Sequence, residues 1–284
     1  MGLRAGLICH IDYFRCYNLK QYYYALSNLY SSLKIVNDVY DLTDIDILFI
    51  GDDHHKEHID IFSKPGFVER CNELNIRVVV MTSERIFDSY FPQNIEKYNF
   101  IKRFKNLTHY TSDVDDCKQL GTKLHRTLFS KNFKNVININ IESKKDEIVF
   151  IGNINSKSYF ERREILNKIN NFIPVKIIKP SDCSYLDYLR LLAQYRFIFS
   201  PIGNGNSFTF RFYESLLVNS IPIHQVRKNT LELYDCEAKF GNCIFFENIN
   251  ELPEKIKNFK LKYSNNNIWF EDYLKELLTK DGLL

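Results

Sequence analysis

Short runs rich in isoleucine, valine and phenylalanine recur along this chain, separated by longer amphipathic segments. That is the rhythm of strands alternating with helices in a parallel α/β sheet. The expected strands are Leu7–His10, Ile45–Ile50, Arg77–Met81, Val149–Ile151, Val175–Ile178, Phe197–Ser200, Ile221–His224 and Cys243–Phe245. Between them, Gln21–Leu33, Gly66–Leu74, Asp115–Phe129, Phe160–Ile169, Tyr185–Tyr195, Phe208–Val218, Asn250–Phe259 and Ile268–Leu278 read as helices.

The rhythm breaks at 130–147, SKNFKNVININIESKKDE, which is polar and charged and has no helical period. This stretch is the expected hinge between an N-terminal domain, 1–140, and a C-terminal domain, 141–284, that restarts with the strand VFIGN. A length of 284 residues, 45% of them hydrophobic, suits two small cores. The expected fold class is α/β, with two doubly wound, Rossmann-like domains, and ligands of such sheets gather at the carboxyl ends of strands.

A net charge of +3 from 38 basic and 35 acidic residues lacks the basic footprint of a nucleic-acid binder. The seven cysteines contain no CxxC pair and leave one over if paired, which favours reduced thiols over a disulfide framework or a zinc site. The opening MGLRAGLICHIDYFRCYNL is too short and too polar in its apolar run for a signal peptide or membrane span. These features predict a soluble, non-secreted protein of a cytoplasmic or host-cytosolic compartment.

Two segments of the second half carry candidate chemistry. In EIVFIGNINSKSYFERREIL a strand ends at Gly152-Asn153 and a helix follows; Gly152 permits close backbone approach, and Arg162 and Arg163 add charge to unpaired helix amides. In FIFSPIGNGNSFTFRFYESLLVNSIPI a strand ends at Ser200, the loop Gly203-Asn204-Gly205 follows, and Ser207, Phe208, Arg211 and Glu214 lead into the next helix. Spacings of four and three predict that Ser207, Arg211 and Glu214 share one helical face. A carboxylate there can take both hydroxyls of a ribose, while the arginine and the loop amides hold phosphate oxygens.

The run Ser200-Pro201-x-Gly203, then Ser207, Arg211-x-x-Glu214-Ser215-Leu216 and Ile221-Pro222-Ile223, resembles the C-terminal motif of exostosin-like glycosyltransferases, usually written S-x-R-x-x-E-A-L-x-x-G-C-I-P-V. The FIGN and Arg162-Arg163 segment is similar to the element that opens that family's donor domain. The likeness covers about residues 147–224, with Asn219-Ser220 standing where the family has Gly-Cys. It implies a GT-B architecture of two Rossmann-like domains across a cleft, the C-terminal one holding a nucleotide sugar and the N-terminal one a glycan acceptor. It also implies inverting transfer without metal or cofactor, with UDP as the nucleotide and a xylose- or galactose-type sugar. Gly152, Asn153, Arg162, Ser200, Gly203, Ser207, Arg211 and Glu214 are the donor contacts it implies, with Lys179 beside the nucleobase. A last helix at about 266–279 that crosses back to the first domain is a further implication. The alternatives are a fucosyltransferase-like user of GDP-fucose, which wants a Glu-Lys pair where Glu214-Ser215 stands, and a nucleotide- or glycan-binding relative without turnover.

Inverting transfer needs a base for the acceptor hydroxyl, expected at a strand end of the first domain. Asp12 and Asp52 rank level, with His10, Asp53 and His54 behind them. The cluster Asp52-Asp53-His54-His55 does not converge easily on a metal. The triplets Asp44-Ile-Asp46 and Asp113-Val-Asp115 read as a pre-strand segment and an acidic helix start, not as metal-chelating pairs.

Overall fold

The structure, a computed structural model, describes residues 3–8, 17–52, 64–83, 85–87, 93–126, 129–131, 143–154, 160–179, 183–203, 205–227, 230, 242–261 and 269–284. The chain divides into two compact units. Unit 1 is Met1–Asn132 with Trp269–Leu284, and unit 2 is Phe133–Ile268.

Unit 1 holds β1 (Ala5–Ile8), β2 (Leu33–Ile35), β3 (Ile47–Asp52), β4 (Arg77–Thr82), β5 (Leu107–Thr111) and β6 (Lys123–Leu124), side by side in the order β2-β1-β3-β4-β5-β6. Every pairing is parallel. Unit 2 holds β7 (Lys145–Ile151), β8 (Val175–Ile178), β9 (Tyr195–Ser200), β10 (Ile221–Gln225) and β11 (Ile244–Phe246), in the order β11-β10-β9-β7-β8 and again all parallel. Each unit is thus a doubly wound α/β sheet with its first and third strands adjacent, the fold class the hydrophobic rhythm predicts.

Parallel strands are covered on both faces and so run continuously apolar. In β4, accordingly, Val78, Val79, Val80 and Met81 are all buried. The unit 1 core gathers Ile50, Val78 and Val80 with Phe67, Cys71, Ile101 and Phe104. In unit 2, Phe150, Phe199, Ile223 and Phe246 pack with Leu166, Ile169 and Leu252. Each such burial stabilises by roughly 1.5–3 kcal/mol before entropy is counted. At the amino end of the unit 2 sheet, Lys144 Nζ donates to Ala193 O at 2.6 Å, Val218 O at 2.9 Å and Ser220 Oγ at 3.1 Å. It so satisfies carbonyls at two helix C-termini, although burial lowers its pKa to about 8.

Several elements differ from the sequence reading. The helix expected to run from Asp115 to Phe129 is Val114–Leu120, because Gly121 takes a left-handed C-cap at φ 68° and donates its N–H to Cys117 O. β5 reads LTHYT, too polar to be recognised, and its His109 and Thr111 are buried with hydrogen-bond partners. The helix Gln93–Ile101 is a further element that the sequence reading does not mark. No helix among the described residues is long and apolar enough to cross a membrane. Cys71, Cys117 and Cys183 are free thiols.

The last helix, Phe270–Lys280, belongs to unit 1. Phe270 meets Tyr22 edge-on at 5.0 Å, Tyr30 donates to Leu283 O at 2.9 Å and Arg77 to Gly282 O at 2.9 Å. Glu271, only 6% exposed, accepts from Lys131 N at 2.9 Å, from Asn28 Nδ2 at 3.3 Å and from Ser130 Oγ. Those donors lie far away in sequence, so the carboxylate ties the returning chain to the segment that leaves unit 1. Glu271→Ala should leave buried donors unpaired and lower the unfolding free energy by about 2–3 kcal/mol, measured by urea unfolding; Glu271→Gln should lose less.

Candidate nucleotide site at the carboxyl edge of the second sheet

In unit 2 the chain leaves β7 towards β8 on one side and leaves β9 towards β10 on the other. The two loops therefore diverge from adjacent strand ends and open a crevice at the switch point of the sheet. Gly152 and Asn153 lie on one side and Ser200–Gly203 on the other.

Two arginines converge on this crevice. Arg211, on the helix Phe210–Leu217 that follows β9, reaches back over β7: its Nε donates to Ile151 O at 2.9 Å and its guanidinium lies 4.4 Å from the centre of the Phe150 ring. Arg162, on the helix Phe160–Ile169 that follows β7, lies between the two loops: its Nη1 is 3.5 Å from Asn153 O of its own loop, and a Cβ added to Gly203 of the other would stand 3.7 Å from its Nη2. Arg162 is 9% exposed. Gly152 is required by the approach of Arg211, since an added Cβ would lie 2.3 Å from Arg211 Nη2 and 3.2 Å from Phe150 Cζ. Gly203 has room for one.

Glu214 stands one helical turn beyond Arg211 and is 6% exposed. Tyr185 and Tyr188, on the helix Tyr185–Ala193, donate to its two oxygens: Tyr185 OH to Oε1 at 2.7 Å and Tyr188 OH to Oε2 at 2.8 Å. Burial raises the carboxyl's pKa, while the two tyrosine hydrogen bonds and the nearby Arg211 charge pull it down. Two positive groups and one hydrogen-bonded carboxylate thus gather at one strand edge, a set able to hold an anionic group beside a hydroxylated one.

The remaining predicted residues divide. Ser200 is fully buried; its Oγ lies 2.8 Å from Thr209 Oγ1, and its carbonyl accepts from His224 Nδ1 at 2.6 Å, so it fastens the loop to the helix start and to β10. Phe208 is core, packed on Phe212 at 4.7 Å and His224 at 5.0 Å. The shared helical face expected of Ser207, Arg211 and Glu214 holds only for the last two, because the helix begins at Phe210 after Thr209 and Ser207 lies in a bend before it. Gly205 is buried beside Asn206, whose Oδ1 accepts from Thr230 at 2.7 Å. Arg163 is half-buried against Phe160, and Lys179 is exposed past β8. Asn204 lies outside the described residues.

In unit 1 the corresponding switch point lies between β1 and β3. Asp52 is the last residue of β3, in register with Thr82. Asp12, His10, Asp53 and His54 lie outside the described residues. Asp44 and Asp46 both pair with Arg4, at 3.1 and 2.9 Å. Asp113 caps the helix Val114–Leu120 by accepting from the amides of Asp115 and Asp116.

Sequence reasoning passes over Tyr185, Tyr188, Thr209 and His224. The only signal is the pair of tyrosines three apart at a helix start, a spacing that core residues share.

No protein-family model matches the chain, and no curated protein matches it. Among solved structures, it is similar to a protein assigned as a UDP-N-acetylglucosamine 2-epimerase from Listeria monocytogenes, at 8% identity and TM-score 0.48, covering 99% of this chain and 96% of that one. It is also similar to a 3-phosphoglycerate dehydrogenase of Entamoeba histolytica, at 10% identity and TM-score 0.26, over 89% and 85% of the two chains. Similarity of that order assigns neither a family nor an activity to this chain, whose fold class is read from its own two sheets.

The close approach at Gly152 and the burial of His224 can each be measured. Gly152→Ala should cost about 1–3 kcal/mol by displacing Arg211, and the cost should shrink in a Gly152→Ala/Arg211→Ala double variant, a non-additivity that urea unfolding of the cycle measures. His224 is fully buried, which lowers its pKa from 6.5 to about 3. The unfolded chain therefore takes up this proton first, and His224's contribution to stability falls as pH drops from 6.5 towards 3. His109 acts in the same sense, and Asp116, raised to about 6 by burial, in the opposite sense. His224→Gln should flatten the acid limb by up to about 1.4 kcal/mol per pH unit, seen in unfolding curves taken across that range.

Proposed function

We propose that this chain is a glycosyltransferase that moves a sugar from a nucleoside diphosphate, UDP by the motif it resembles, to a hydroxyl of a glycan, with inversion and without metal. The observation that carries the reading is the convergence of Arg162 and Arg211 at the β7–β9 crevice, with Glu214 one turn beyond Arg211. In this reading the two guanidinium groups and the loop amides take the diphosphate, and Glu214 takes ribose hydroxyls.

The acceptor oxygen attacks the anomeric carbon as the bond from that carbon to the diphosphate oxygen breaks on the opposite face. The charge that builds on the leaving diphosphate falls to the arginines, which are held in place before the reaction and need no reorganisation during it. The acceptor's proton goes to a carboxylate of unit 1, for which Asp52 and Asp12 are the candidates. The sugar is of xylose or galactose type in this reading.

A thermal-shift screen over UDP- and GDP-sugars, with and without EDTA, tests it. UDP-sugars should raise the melting temperature regardless of EDTA, and Arg211→Ala should weaken UDP binding about tenfold or more. Stabilisation by no nucleotide sugar overturns the proposal. Asp52→Asn or Asp12→Asn should abolish transfer while nucleotide binding survives; turnover in either variant clears that residue, and binding without sugar release by the unaltered protein would mark a non-catalytic relative.

A further inference from the structure

The Glu214 carboxylate is held by partners that the diphosphate reading does not use. We infer that Tyr185 and Tyr188 are positioning residues: they fix the Glu214 carboxylate so that it reads the vicinal diol of a ribonucleotide and discriminates against a deoxyribonucleotide. The inference rests on the nucleotide reading above and deepens it.

Each tyrosine hydroxyl donates to a different oxygen, at 2.7 and 2.8 Å. A carboxylate has about four lone-pair sites. Two are taken, one on each oxygen, so one remains on each oxygen, the pattern that two adjacent hydroxyls can occupy together. The side chain is also restrained in direction, because both tyrosines stand on the first turn of one helix with their rings 5.9 Å apart. Arg211 does not take over this role. Its Nε goes to Ile151 O and its guanidinium lies on Phe150, so it reaches Glu214 through its charge and through the Tyr188 hydroxyl between them.

The same bonds favour the ionised form of the group. Burial raises the Glu214 pKa, and the tyrosine donors oppose that rise more than Arg211 does. Among the described residues, the groups that face Glu214 are Tyr185 and Tyr188 from the preceding helix and Arg211 from its own. On β10, which packs against that helix, His224 stays neutral. Removing the two hydroxyls therefore moves protonation of Glu214 to higher pH, and a protonated carboxyl is a weaker acceptor for the diol.

The test compares the Kd of UDP with that of 2′-deoxy-UDP by calorimetry between about pH 5.5 and 8. The phosphates of the two nucleotides titrate alike, so the ratio isolates the sugar contact. The unaltered protein should favour UDP by roughly tenfold. In Tyr185→Phe/Tyr188→Phe the preference should fall towards one, and its loss on acidification should begin at higher pH; Glu214→Gln should remove the pH dependence. A ratio unchanged at every pH in the double variant would reduce the tyrosines to packing and overturn the inference. No preference for UDP in the unaltered protein would overturn it too, while leaving nucleotide binding intact. Binding of neither UDP nor GDP would instead bring down the proposed function and this inference with it. Should the double variant not fold, Tyr185→Phe alone, which removes only the donor to Oε1, is read by the same ratio.

Discussion

A parallel sheet cannot be built from hairpins. Each strand must return through a crossover, and the crossovers cover both faces. That constraint arranges everything else here. It makes strands such as β4 apolar throughout, and it places all the loops after strands on one edge. It also makes the chain diverge wherever the winding reverses, at β1–β3 in one unit and β7–β9 in the other.

At the second of these points the fold turns a topological gap into a charged site. Arg211 comes from the helix after β9 but is anchored on β7, while Arg162 comes from the helix after β7 but lies against the loop after β9. Arg211 is therefore oriented by the strand it did not follow, while Arg162 also holds Asn153 O of its own loop. The glycine at 152 and the ring of Phe150 below it are the conditions for that close approach. The buried carboxylate at 214 is tolerated because both its oxygens receive donors, since an unpaired carboxylate at that depth would be strongly destabilising.

Much of this is legible in the sequence. Val175–Ile178 and Phe160–Ile169 are found where their apolar patterns put them, and the loops bearing Gly152 and Gly203 read as strand ends. The misreadings have local causes. β5 is hidden because His109 and Thr111 give a buried strand a polar face, satisfied by side-chain partners that only the fold supplies. A helical period counted back through Phe208 puts Ser207 on the helix; the helix instead starts at Phe210, and the phenylalanine turns inward to pack on His224 and Phe245.

The sequence by itself determined that the chain alternates strand and helix in two units, and it marked out Arg211 and Glu214 three residues apart, because period and spacing are properties of a local segment. What only the tertiary structure decided is which groups those side chains meet. Ile151 O lies 60 residues from Arg211, and Tyr185 and Tyr188 lie 29 and 26 residues from Glu214. Their meeting follows from the order in which strands are laid side by side, which no local pattern encodes. For the same reason Ser200, conspicuous in the motif, is enclosed between Thr209 and His224, while two tyrosines that the sequence left unremarked hold the buried carboxylate.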